Sequence, residues 1–213
     1  MRKSSVKNIL SKAGRLYAVP RGFSLVEMLI AMVVGLVVLG AMYSTFTIQN
    51  KTFANQEEIV AMQQSVRAGM DMMAREIGMA GYDPTQVNSD CSSPNFSCQT
   101  VNASQLQIQA DLDGSGAIDA TSQENIVYAF DATNKRITRN IGAQAQPFVE
   151  NVDAFTFAYL DNNGTVTATA ADVRQIRITI TGRTANPDPS YSANGGYRTY
   201  TLTSVIAPRN LAF

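Results

Sequence analysis

Phe23-Ser-Leu-Val-Glu27-Met-Leu-Ile-Ala-Met-Val-Val-Gly-Leu-Val-Val-Leu-Gly-Ala-Met-Tyr43 is the stretch that decides the fold. From Phe23 to Asn50 the only charged side chain is Glu27. A helix that crosses a bilayer needs roughly 20 mostly apolar residues, and this run supplies them. The segment before it has the opposite character. Residues 1–22 hold six basic side chains (Arg2, Lys3, Lys7, Lys12, Arg15 and Arg21), no acid, and end in Pro20-Arg21-Gly22. The positive-inside rule keeps such a segment cytoplasmic and sends the body across the membrane. In an ordinary secretory signal a short apolar core precedes a small-residue cleavage site. Here Gly22 precedes the apolar run, so a cut at that point leaves the helix in the mature protein. A plain signal anchor accounts for the hydrophobicity but not for Glu27. A carboxylate in a membrane segment costs about 2.5–3.5 kcal/mol on insertion scales and usually marks function.

The formal net charge of zero conceals this asymmetry. Residues 23–213 carry 11 basic and 17 acidic side chains, a net of −6. An acidic body is poorly suited to binding nucleic acid through bulk electrostatics. Arg174, Arg177 and Arg183 form at most a small basic patch and read first as a solvated strand face. The chain has no histidine, which removes the commonest general base and zinc ligand. No nucleophile elbow or phosphate loop is present. The reading is therefore a non-enzyme, with no catalytic residues assigned.

Beyond Gln56 the chain becomes amphipathic. Ile59, Met62, Val66, Met70, Met73 and Ile77 recur at spacings of three and four, one face of a helix. Glu57, Glu58, Gln63, Arg67, Asp71, Arg75 and Glu76 lie between them, and Asp71 and Arg75 are spaced to pair. No proline occurs between Arg21 and Asp83. One helix from about Phe23 to about Gly78 is expected, stopped by Gly78, Gly81 and Pro84. The methionines read as core packing against a globular domain.

After Pro84 short strand-like runs appear: Gln105–Ala110, Asn125–Phe130, Arg136–Ile141, Ala154–Leu160, Val173–Thr181 and Tyr197–Ile206. Ile176, Ile178 and Ile180 alternate with Arg177, Thr179 and Thr181, so one face is apolar. The fold class is α+β: a long N-terminal helix packed on an antiparallel sheet of five to seven strands. The expected divisions are a leader at 1–22, a membrane or fibre-core helix at 23–50, an amphipathic helix at 51–82, and a β-rich domain at 83–213.

Two local features carry chemistry. Asp111-Leu-Asp113-Gly-Ser115-Gly116-Ala117-Ile-Asp119 resembles the first nine positions of an EF-hand calcium loop. Asp111, Asp113, Ser115 and Asp119 would supply side-chain oxygens and Ala117 a carbonyl. Position 12 is Ser122 instead of glutamate, with Glu124 two residues later. Two readings stand: a Ca2+ loop of modest affinity, or an Asp/Gly-rich hairpin. Cys91 and Cys98 are either free thiols or, in an exported domain, a disulfide; the export signal favours the disulfide.

Arg21-Gly22-Phe23-Ser24-Leu25-Val26-Glu27 is similar to the prepilin peptidase motif of type IV pilins and type II secretion pseudopilins. The resemblance implies a membrane-embedded prepilin peptidase that cuts between Gly22 and Phe23 and N-methylates Phe23. It also implies that Glu27 neutralises the terminal amine of a neighbouring subunit during assembly. A lone buried acid is costly, whereas one paired with an ammonium is tolerable. Further along, Glu150–Asp161, Val173–Ile180 and Ser204–Asn210 resemble PilW-type minor pilins and, more loosely, the J-type pseudopilin of type II secretion. Ser44 stands where many major pilins have a helix-bending proline, which favours a minor subunit. Retention of Glu27 argues against the pseudopilin class that lacks this acid and caps the tip. The implied role is a minor pilin of a tip complex that primes fibre assembly, as in twitching motility. The implied partners are other minor pilins, the major pilin, and the assembly platform in the inner membrane. The implied location is a single-pass inner-membrane protein with a periplasmic domain, later part of the surface pilus. A J-like pseudopilin, or a tip module for adhesion or DNA uptake, are the alternatives.

Overall fold

The computed structural model describes residues 22–85, 104–142, 144–169 and 172–210. The chain divides into two compact units at Asn50/Lys51. Helix α1 runs Leu25–Gly78, in agreement with the proline-free span and the glycines that follow it.

In the first unit the helical residues present their apolar side chains outward. The most apolar window of the helix has no buried residue. Leu25, Met28, Leu29, Val37 and Met42 are each more than 60% exposed. An uninterrupted apolar exterior suits a lipid or protein environment, not water. Two polar side chains within it are satisfied internally. The Thr45 hydroxyl donates to the Ala41 carbonyl at 3.0 Å and Thr47 to Tyr43 at 2.9 Å, as hydroxyls do where water is absent.

The second unit is a sheet domain built on the remainder of α1. Strands β1 (Gln105–Gln109), β2 (Asn125–Asp131), β3 (Arg136–Asn140) and β4 (Ala145–Glu150) form one antiparallel sheet in that order. Strands β5 (Val152–Leu160), β6 (Gln175–Arg183) and β7 (Thr199–Ile206) form a second. The sequence predicts one sheet; among the described residues there are two. The division falls at Asn151, a single residue between β4 and β5 with φ of 57°, a left-handed conformation that asparagine tolerates. Its carbonyl accepts the Arg183 amide at 2.8 Å while the Val152 amide turns to Lys135 at 2.7 Å. The chain thus leaves one sheet and enters the next without a loop. Strand β4 is the element that the sequence reading omits, because Gln146 and Pro147 break its alternation.

The predicted helix stripe is the core face. Met62, Val66, Met70, Met73 and Ile77 are buried, and Ile59 is half-buried. Val66, Met70, Met73 and Ile77 share one core cluster with Leu106, Ile126, Ile137, Val149, Phe155 and the fully buried row Ile176, Ile178 and Ile180. Each such isoleucine contributes about 1.5–3 kcal/mol relative to exposure. Two glycines set how close helix and sheet come. A Cβ on Gly69 would lie 2.4 Å from Val149 Cγ2, and one on Gly182 would lie 2.5 Å from Val66 Cγ2.

Candidate functional site

The N-terminal motif occupies the start of α1. Gly22, Phe23 and Ser24 precede the helix, and the Ser24 carbonyl accepts the Met28 amide at 3.1 Å as the first turn closes. Phe23 is 83% exposed. Glu27 lies in the first turn, where a carboxylate is favoured by the partial positive charge of the helix N-terminus. Among the described residues no ion pair engages it. Gly22 has nothing within 4 Å of a notional Cβ, so the bond after it is sterically open. An exposed apolar rod with one acid in its first turn has a simple chemical capacity. It inserts into an apolar surrounding and offers one anion for an ammonium to meet.

The acidic loop lies between β1 and β2. Asp111, Asp113 and Glu124 bring carboxylate oxygens within 4.8 Å of one another. Asp111 is fully buried and Glu124 is 5% exposed. Backbone amides converge on them. Asp111 Oδ1 accepts Gly114 N at 2.8 Å and Ser115 N at 3.2 Å, and its Oδ2 accepts Gly116 N at 2.8 Å. Glu124 Oε1 accepts Leu112 N at 2.9 Å and Asp113 N at 3.2 Å, while Oε2 accepts Asp119 N at 2.8 Å. Gly114 and Gly116, with φ of 74° and 78°, provide the turn. Ser115 N and its hydroxyl hold the exposed Asp113 carboxyl below the usual range. Thr121 does the same for Asp119, whose Oδ1 accepts Thr121 N at 2.8 Å and Thr121 Oγ1 at 2.7 Å.

Of the six predicted ligands the fold therefore gathers Asp111, Asp113 and Glu124. Asp119 turns to Thr121, and Ser115 Oγ donates to the Ala117 carbonyl at 3.2 Å. Three carboxylates face one another with no lysine or arginine paired to them among the described residues. Asp111 Oδ2, Asp113 Oδ1 and Glu124 Oε2 each accept one backbone amide and keep a second lone pair, which fits a hard, oxygen-seeking cation.

The three arginines do not make a patch. Arg174 Nη1 turns back to the Val173 carbonyl at 2.9 Å. Arg177 and Arg183 share a face of β6 but lie about 20 Å apart at strand rise. Arg183 stacks on Tyr197 at 4.4 Å. The Asp71–Arg75 pair expected on the helix is absent from the ion pairs of the described residues. Cys91 and Cys98 lie outside the described residues.

Sequence reasoning missed one cluster. Glu76, placed with the solvated charges by its position in the helix, is 8% exposed. Its Oε1 accepts Arg139 Nη2 at 2.7 Å, and its Oε2 accepts Arg139 Nε at 3.3 Å and the Tyr128 hydroxyl. Burial pushes the Tyr128 phenol up, and its bond to Glu76 adds to this. Burial opposes the charge on Arg139, but Glu76 outweighs it and raises the guanidinium's pKa. This network ties α1 to β2 and β3. A second tie is Glu58, which accepts Asn186 N at 3.1 Å and Asn186 Nδ2 at 2.6 Å.

Comparison with known proteins adds three findings. The family described as "Prepilin peptidase-dependent protein B" matches residues 55–205. The "Prokaryotic N-terminal methylation motif" matches residues 20–43. Among solved structures, a type IV-like pilin from Thermus thermophilus is 14% identical, covering 71% of this chain and 97% of that one, with a TM-score of 0.41. At that score the likeness bears no weight on function. No curated protein matches the chain.

Proposed function

The chain belongs to the prepilin peptidase-dependent protein B family, and on that premise we propose that it is a minor, PilW-like type IV pilin that helps to prime fibre assembly. The observation that carries the proposal is the exposed apolar run Phe23–Asn50 with Glu27 as its one acid, in the helix's first turn. In this reading the prepilin peptidase cuts after Gly22 and methylates the amine of Phe23. The helix then holds the protein in the inner membrane with the sheet domain in the periplasm. On assembly Glu27 meets the terminal ammonium of a neighbouring subunit. That pairing offsets the cost of a carboxylate in an apolar fibre core. Major and minor pilins and the assembly platform are the partners.

Deletion of the gene, with surface pili counted with and without blocked retraction, tests the role. Loss of pili that blocked retraction restores supports priming. Normal numbers in both backgrounds refute it, and an accompanying loss of protein secretion would assign the chain to type II secretion instead.

The acidic loop supports a second reading, that Asp111, Asp113 and Glu124 hold a calcium ion, with Ser115, Ala117 and Asp119 nearby. The supporting observation is the convergence of three carboxylates, two of them buried, without a cationic partner among the described residues. Bound calcium would fix the loop against β1 and β2.

A further inference from the structure

We infer that a groove beside the C-terminal end of α1 is a docking site for an extended apolar segment, bearing a carboxylate, from a neighbouring subunit. The partner's identity rests on the pilin reading above; the chemistry of the groove does not. The cavity has a volume of about 720 Å³, within the roughly 300–1,000 Å³ of typical ligand clefts. Met79, Tyr82, Leu112 and Ile206 form its apolar lining. Met79, Tyr82 and Leu112 are 44%, 43% and 42% exposed. Large apolar side chains grouped around a concavity are a mark of an interaction site.

Charge complementarity specifies the occupant. Arg75 and Arg209 line the same groove and no acid does. Neither guanidinium joins an ion pair among the described residues. Arg75 stands in the last turn of α1, where the helix end carries only about half a negative charge. Two full positive charges exceed that. The groove is thus cationic on a body whose net charge is −6. It is also preformed. The Arg209 amide donates to the Gly78 carbonyl at 3.3 Å, and Asn210 Nδ2 donates to the Met79 carbonyl at 3.4 Å, which ties the segment after β7 to the helix end. The apolar lining calls for apolar side chains and the arginines for an aspartate or glutamate. Tyr82 and Asn210 also line the groove, and a hydroxyl and a side-chain carbonyl can hydrogen-bond peptide groups, to which a hydrocarbon tail offers nothing.

The test places a benzophenone photo-cross-linking residue at Leu112 of the full chain in piliated cells. The expected product joins this chain to another pilin subunit, on an apolar segment containing an acid. R75E/R209E, present in the membrane at the wild-type level, is expected to lower that product about tenfold or more, the scale on which close like charges act at interfaces. Converting the cross-linked acid of the partner to lysine should restore it. If the double variant does not accumulate, R209Q alone takes its place, with a smaller loss expected. A cross-link confined to this chain's own residues, a lipid adduct, no adduct, or a product indifferent to charge reversal would each overturn the inference. The outcomes separate the two proposals. Pili lost on deletion with no cross-link leave the priming role standing and the groove refuted. A charge-sensitive cross-link with pili unaffected by deletion does the reverse.

Discussion

Replacing Glu76 by alanine is predicted to be among the most destabilising single changes in the sheet domain. Glu76 and Arg139 side chains are only 10% and 16% exposed and 2.7 Å apart. Glu76 also accepts the hydroxyl of the fully buried Tyr128. Alanine leaves the guanidinium without its anion and the phenol without its acceptor. Removing one partner of a buried ion pair costs about 3–5 kcal/mol, and an orphaned buried hydroxyl about 1–3 kcal/mol. Arg139 keeps some access to water, so the two costs will not add in full, and a total of about 3–4 kcal/mol is expected. Tyr128→Phe, which leaves the ion pair in place, should cost about 1 kcal/mol. The double variant E76M/R139M removes both charges and should recover most of the loss, because apolar pairs of similar volume replace buried ion pairs well. Equilibrium urea unfolding of these proteins, together with the single variants E76M and R139M that complete the cycle, measures this. The cycle must be strongly non-additive. An E76A protein within about 1 kcal/mol of wild type, or purely additive effects, would show that the network does not tie helix to sheet.

Gly69→Ala and Gly182→Ala each drive a methyl into a β-branched valine at 2.4–2.5 Å and should lose about 1–3 kcal/mol, whereas Gly78→Ala, with nothing within 4 Å, should stay within about 0.5 kcal/mol in the same unfolding assay. Titration calorimetry should detect calcium binding at about millimolar concentrations, with stability rising by about 1.4 kcal/mol at ten times Kd; Asp111→Asn should abolish it, and no heat with no thermal shift would refute the loop reading. The Ser190 hydroxyl and the Arg198 guanidinium hold the Asp188 carboxyl down to about 2 from 3.8. A depressed carboxylate stabilises the fold above the unfolded value and loses that contribution as pH falls, so unfolding free energy should drop between pH 3.8 and about 2, and less so in Asp188→Asn. Glu27→Gln should insert in the membrane at least as well as wild type but fall about tenfold or more in sheared pili, since a lost buried ion pair costs about 3–5 kcal/mol; undiminished incorporation would remove Glu27 from assembly.

Much of this protein is written in one dimension. The apolar run from Phe23, its single acid and the basic segment before it depend only on composition and order. Helix periodicity from Ile59 to Ile77 and the alternation of Ile176, Ile178 and Ile180 are local repeats, so the helix, its buried face and most strands were legible. What escaped depends on distance across the chain. Glu76 falls beside a helical stripe and reads as solvated until Arg139, 63 residues later, is brought to it. Strand β4 lacks alternation because Pro147 and Gln146 interrupt it, and its pairing with β3 decides that it is a strand. The split into two sheets turns on one left-handed residue, Asn151, which no periodicity announces. In the acidic loop the residue types were legible, but only the fold could turn Asp119 to Thr121 and bring Glu124 to Asp111. Sequence determines elements whose free energy is set by near neighbours; tertiary structure decides which distant charges, glycines and edges meet, because that depends on how those elements pack.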